Sequence, residues 1–375
     1  MIELDGSHLE YDISKRNTIP ARYKGKQAFL ITEGELVEQV QKHYGRPEAV
    51  LKVFNVPMEG DLKDYYWGSP WRIYSVERTE EICKISKLWE ATIIQNLLWM
   101  GGYAPRIYGF AIINKDGNRY PAQVTEFVKG DEAPSAEWVA TQRFAVEEYL
   151  KEFGCVPHHK EQAGVRDYIG GKLIDPQGCR FTKDTHQKIV EYIRKLGVYG
   201  KGIYQSDKQL GFGAHPRDTD KRIEQMGLNT VDFTGKDVLD VGCNIGVFCN
   251  YAERAGARRV VGIDAPEVAR AAQVMSFYLG CHNIDYYGKD LLKENTEGDF
   301  DITLFLSMNV HIGFPEWVAE QTKSLMIFEE NAKGGNYETH KWIKFLRSFF
   351  KEVIQRGVST DHNPAQPKPI LFCHK

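Results

Sequence analysis

Apolar runs of strand length alternate with stretches of helical spacing through the second half of this 375-residue chain. The run from Val238 to Val241, which carries Asp240, has the length of a buried parallel strand; Gly242 and Gly246 frame a turn after it. Ile245 to Arg254 places Ile, Phe and Tyr at helical spacing, and Val260 to Ile263 gives a second strand. Pro266 then opens a helix to Leu279, proline being suited to a first turn. Ile302 to Met308 is an apolar run apart from Thr303 and Ser307, and reads as a fully buried strand. Trp317 to Thr322 reads as helix and Leu325 to Glu329 as a fifth strand. Tyr337 to Phe349 reads as an amphipathic helix with Trp342, Phe345, Leu346 and Phe349 inward. Val353 to Gly357 and Ile370 to Cys373 close a seven-stranded sheet as an antiparallel pair. A charged helix, Asp218 to Met226, precedes the first strand.

The first half has a different rhythm. Gln27 to Thr32, Leu36 to Val40 and Ala49 to Phe54 read as strands, with Glu33-Gly34 as a hairpin turn between the first two. A helix is predicted from Thr79 to Met100, stopped by Gly101-Gly102. Ala104 to Phe110 and Ala122 to Phe127 are two further strands, and Trp138 to Phe153 and Thr185 to Leu196 are helical. Three regions follow: an α+β domain over residues 1–130, a helical connector over 131–200, and an α/β domain over 201–375, a Rossmann-like, doubly wound sheet.

Composition narrows the classes. With 48 basic and 51 acidic residues the net charge is −3, so no global field draws nucleic acid or an anionic membrane. Seven cysteines without a C-x-x-C pair argue for a reducing compartment and against a disulfide framework or zinc ribbon, and no metal-ligand set is read. The start of the chain has no signal-peptide pattern and no apolar run reaches the ~18 residues of a membrane span. A cytoplasmic protein is expected; the oligomeric state is not legible.

A βαβ unit places ligands at the carboxyl ends of its strands. Asp240 stands two residues before the first glycine, where it repels a pyrophosphate, and the glycine spacing is D-x-G-x-x-x-G rather than the dinucleotide G-x-G-x-x-G. A cationic ligand without phosphate suits the turn, and S-adenosylmethionine has that chemistry. Asp264, ending the second strand, is then placed to accept hydrogen bonds from both ribose hydroxyls.

On these motifs residues 201–375 resemble a class I S-adenosylmethionine-dependent methyltransferase. The resemblance implies that Asn283 to Asp290 is the third strand with its acidic loop, that Asp290 meets the adenine amino group, and that Asp299 to Met308 is the fourth strand. Asn244 stands where most members have glycine. The implied cofactor-binding set is Asp240, Gly242, Asn244, Gly246, Asp264, Asp290 and Ser307. The segment from Lys201 to Arg217, with Tyr204, Gln205, Phe212, His215 and Arg217, is expected to fold over the cofactor as a lid.

The first half is weakly similar to the small lobe of protein kinases. In that likeness Lys52 pairs with Glu90, and Asp175 stands at the metal-binding position. No glycine-rich loop precedes Lys52, and Pro157-His158-His159-Lys160 occupies the catalytic-loop region, so the domain is read as degenerate.

Methyl transfer to an oxygen or nitrogen of a small-molecule or glycan-type acceptor is the expected reaction. His311, after the fourth strand, is the expected base because imidazole titrates near neutral pH, with Glu329 as the second candidate. Two alternatives stay open. Tyr204-Gln205-Ser206 and Ser307-Met308 resemble methyltransferases acting on tRNA, and a regulator with nucleotide-binding folds but no turnover would share the same strands.

Overall fold

The structure, a computed structural model, describes residues 2–5, 26–31, 34–46, 48–54, 80–131, 134–157, 168–174, 179–197, 205, 207, 210–211, 218–360 and 365–375. Its contacts divide the chain into two units, Met1–Ile189 with Phe277–His282, and Val190–Ser276 with Asn283–Lys375.

The first unit contains β1 (Ile2–Asp5), β2 (Lys26–Ile31), α1 (Glu35–Tyr44), β3 (Ala49–Phe54), α2 (Glu80–Met100), β4 (Ile107–Lys115) and β5 (Asn118–Thr125). These strands form a sheet in the order β1-β4-β5-β3-β2, antiparallel except between β1 and β4. After it come α3 (Ala136–Lys151), four two-residue strands, β6 (Cys155–Val156), β7 (Tyr168–Ile169), β8 (Lys172–Leu173) and β9 (Arg180–Phe181), and helix α4 (Thr185–Leu196), whose residues from Val190 onward belong to the second unit. Lys52, on β3, is buried and its Nζ donates to the Ile174 carbonyl at 2.7 Å, while the Glu90 carboxylate accepts from the Phe181 N–H. Asp175 lies outside the described residues.

One element of this unit differs from its sequence reading. Leu36 to Val40 is not a strand but part of α1, and Gly34 is its N-cap rather than part of a hairpin turn. Leu36, Val37, Val40 and Tyr44 are buried together, a spacing that a helix turns to one side and a strand would split between two faces. Glu35 and Glu38 in the first turn and Lys42 and His43 in the last complement the helix dipole, and Gly45 closes it in the left-handed region.

The second unit contains α5 (Thr219–Gln225), β10 (Asp237–Val241), α6 (Val247–Arg254), β11 (Arg259–Asp264), α7 (Pro266–Tyr278), β12 (Ile284–Gly288), β13 (Phe300–Leu306), α8 (Asn309–Ile312), α9 (Glu316–Gln321), β14 (Thr322–Glu329), α10 (Thr339–Leu346), β15 (Glu352–Ser359) and β16 (Lys368–His374). The sheet order is β12-β11-β10-β13-β14-β16-β15. Its first five strands are parallel, and β16 runs antiparallel to both neighbours, as the sequence pattern led us to expect. The order reverses at β10, so the ends of β10, β11 and β13 open at a switch point where ligands bind.

The core of this unit is aromatic. Phe305 on β13 stacks on Phe328 on β14 with ring centroids 5.7 Å apart, and Trp342 of α10 tilts over Phe328 at 5.0 Å. Helical period puts Trp342, Leu346 and Phe349 on one stripe and leaves Phe345 at its edge, 41 % exposed rather than inward. No described helix is long and apolar enough to cross a membrane. Replacing Phe328 by Ala removes a fully buried ring from both aromatic contacts, and urea unfolding should show a loss of about 3–5 kcal/mol.

Candidate functional site

The site begins with a turn that only certain residues can make. Gly242, Asn244 and Gly246 have φ of 75°, 53° and 82°. A Cβ on Gly242 would stand 2.2 Å from Met308 Sδ and one on Gly246 2.1 Å from the Tyr286 hydroxyl, so a side chain at either position would have to displace that neighbour, and the positive φ strains it as well. Asn244 tolerates the left-handed region because its short polar side chain suits it. The N–H groups of Gly242 and Cys243 both donate to the Ile263 carbonyl, at 2.9 and 3.1 Å, which ties the turn to the end of β11.

That anchoring brings two carboxylates to one edge. Asp264 accepts from the backbone N–H of Asn244 at 2.8 Å and of Ala265 at 2.7 Å. Asp240, 1 % exposed, accepts from the Cys249 thiol at 3.4 Å. Burial pushes the Asp240 carboxyl up to about 7; the nearby Asp264 charge adds to this, and Cys249 and Arg222 oppose it. Asn244 Oδ1 is buried without a hydrogen-bond partner among the described residues, an unmet acceptor on a residue that lines the same cavity as both carboxylates.

A cavity of about 740 Å³ opens over this turn. Of the residues named from sequence, Asp240, Gly242, Asn244, Asp264, Asp290, Ser307 and His311 line it; Gly246 and Glu329 do not. Gly246 instead starts α6 beneath the turn. Asp290, half-buried, pairs with Lys293 at 2.8 Å and accepts from the Leu292 N–H at 3.2 Å, and these two hold its carboxyl below the usual range. His311 is exposed on the short helix α8.

Glu329 is fully buried. It accepts from Arg222 Nη2 at 2.6 Å and from the Ser307 hydroxyl, and Lys368 Nζ donates to the same hydroxyl at 2.9 Å. Burial pushes the Glu329 carboxyl up, but Arg222, Lys368 and the Ser307 hydrogen bond outweigh it and hold it below the usual range. A carboxylate so held is a poor proton acceptor.

Arg222, Phe248 and Lys368 also line the cavity, and sequence reasoning did not single them out. The Arg222 guanidinium lies 5.1 Å from the Phe248 ring centroid. Arg222 is one charge among several on α5, and Lys368 sits in the proline-rich Pro364 to Pro369 run; neither has a local signature. Of the residues named for the expected lid, Gln205 is described. Its Oε1 accepts from the Val247 N–H at 3.2 Å, whereas Tyr204, Phe212, His215 and Arg217 lie outside the described residues.

No protein-family model matches the chain. Over 92 residues it is 33 % identical to protein arginine N-methyltransferase 1 of Dictyostelium discoideum, covering 23 % of this chain and 27 % of that one. Over 77 residues it is 35 % identical to a putative protein N5-glutamine methyltransferase of Methanocaldococcus jannaschii, 20 % of this chain and 39 % of that one. The chain thus spans well under half the length of these relatives. Among solved structures, an S-adenosylmethionine-dependent methyltransferase from Listeria monocytogenes, described as putative, aligns at 16 % identity and a TM-score of 0.34, covering 42 % of this chain and 99 % of that one. Over the stretches matched by the curated relatives, the chain is similar to methyltransferases. The relatives are named for protein acceptors, which corrects the expectation of a small-molecule or glycan-type acceptor.

The Asp240 environment makes a signed prediction. Its folded carboxyl lies above the unfolded value of 3.8, so this group stabilises the fold below about pH 4, and that contribution is lost as pH rises to about 7. Asp240→Asn should match the parent protein near pH 3 and exceed it above pH 7, by roughly 4 kcal/mol at most. Thermal melts of both proteins across that range measure the difference.

Proposed function

We propose that the second unit binds S-adenosylmethionine in this cavity and methylates a nitrogen of a protein side chain. One observation carries the reading: two buried carboxylates, Asp240 and Asp264, end adjacent parallel strands and face one cavity beside the unmet Asn244 Oδ1. Two carboxylates and an amide oxygen would repel a pyrophosphate. They match a ligand with an ammonium, a sulfonium and ribose hydroxyls.

In this reading Asp264, its carboxylate oriented by two backbone N–H groups, holds the ribose hydroxyls. Asp240 and Asn244 Oδ1 take the ammonium, and ligand charge offsets the burial that raises Asp240. Arg222, 5 % exposed on the cavity wall, takes the ligand carboxylate. Ala265, Pro266 and Leu291 supply apolar surface for the adenine ring, with Asp290 at its edge. The sulfonium supplies a methyl group already activated for in-line displacement. What remains for the chain is to orient the nucleophile, keep water out and accept a proton.

His311 is the proton acceptor in this account, since it lines the cavity on the short helix α8 that follows β13. Glu329, fully buried and charge-paired, is a positioning residue. A protein acceptor is supported by the names of the relatives, which include protein arginine and protein glutamine methyltransferases.

Titration calorimetry with S-adenosylmethionine tests the binding half. Asp264→Ala removes hydrogen bonds to a charged acceptor and should weaken binding about 10²-fold; unchanged affinity would overturn the site. His311→Asn should lower turnover about 10²- to 10⁴-fold with affinity unaltered. Lost cofactor binding in that variant would assign His311 to the fold instead.

A further inference from the structure

Ser307 is held in a conformation its side chain does not favour. Its φ is 62°, and in the second unit Asn244 is the other described non-glycine residue in this region; both line the cavity. Such a backbone costs on the order of 1–2 kcal/mol and persists only where the surroundings over-determine it. Here they do. The Ser307 N–H donates to the Glu329 carbonyl at 2.9 Å, its hydroxyl donates to the Glu329 carboxylate, and Lys368 Nζ donates to the same hydroxyl oxygen at 2.9 Å.

The direction of these bonds is settled by chemistry. An ammonium can only donate, and the Glu329 carboxyl, held below its usual range by Arg222 and Lys368, is ionised and can only accept. The single Ser307 hydrogen is therefore committed to Glu329, and one lone pair to Lys368. A hydroxyl oxygen has two lone pairs. The second belongs to a side chain that lines the cavity, on the wall formed by the ends of β13 and β16, while Asp240 and Asp264 close the ends of β10 and β11.

We propose that Ser307 Oγ is a fixed hydrogen-bond acceptor for the methyl-accepting group, so that the site takes a nitrogen that still carries hydrogen and rejects thioethers and ionised carboxylates. The inference rests on the methyl-transfer reading and specifies its acceptor. In the step, the nitrogen lone pair forms the new N–CH₃ bond as the S–CH₃ bond breaks, and sulfur keeps the bonding pair. A nitrogen hydrogen leaves as a proton to His311 or solvent, and another, held by Ser307, fixes the lone pair toward the methyl group. A thioether has no hydrogen to offer, and a carboxylate would present a lone pair to a lone pair.

The test uses the intact chain, methyl-tritiated S-adenosylmethionine and the protein fraction of a cell extract. Ser307→Gly removes the hydroxyl yet suits φ of 62°, so it keeps the backbone that Ser307→Ala would leave strained. At saturating S-adenosylmethionine, and below the variant's own melting temperature, label transfer by Ser307→Gly should fall about 10- to 100-fold. Label in the parent reaction should be stable to mild base and recovered as N-methyl amino acid. Transfer by Ser307→Gly at the parental rate overturns the inference, as does label recovered as base-labile methyl ester or methylsulfonium. Bound cofactor with no label transferred by the parent protein overturns the methyl-transfer reading itself, and this inference with it.

Discussion

Two carboxylates buried side by side at the open edge of a parallel sheet are the constraint around which the second unit is arranged. Removing a charge from water is costly unless it is paired or hydrogen-bonded. Asp264 meets that cost with two backbone N–H groups from the turns on either side of it. Asp240 has a weak thiol donor and is pushed up to about 7 by its burial. The left-handed turn through Gly242, Asn244 and Gly246 exists because its amides must reach the end of β11. A cation arriving at this edge relieves both acids at once, which is why the cavity over them suits a sulfonium and ammonium ligand.

A second buried network governs the opposite wall. Arg222 from α5, Glu329 from the end of β14, Ser307 after β13 and Lys368 at the start of β16 meet around one carboxylate. Net stability from such a network is modest, but deleting one partner strands the others without solvent. Its value lies in geometry. It fixes the helix before the first strand to the strand ends that face it, and it holds Ser307 in a backbone conformation that would otherwise relax. The charges on this wall and the charges on the turn are thus separate networks that face one cavity.

Much of the architecture follows from local pattern. The five parallel strands, the antiparallel pair that closes the sheet, and the acids near the carboxyl ends of β10 and β11 are legible because hydrophobic runs, glycine positions and a charge two residues before a turn are local features. Where pattern is ambiguous, packing decides. Leu36, Val37 and Val40 fit a short strand as readily as a helix, and only their joint burial with Tyr44 separates the two. Phe345 reads as inward until the width of the α10 stripe places it at the edge.

The sequence by itself determined the sheet, its switch point and the acidic turn, since each depends on residues within a few positions of one another. It did not determine the opposite wall. Arg222 and Glu329 are 107 residues apart, and Ser307 and Lys368 are 61 apart, so nothing in either neighbourhood marks them as partners. Glu329 could be read as a base from its position at a strand end; its burial between two cations makes it a fixed anion instead. Protonation and hydrogen-bond direction depend on which charges lie within a few ångströms, and that distance is set only when the strands are laid beside one another.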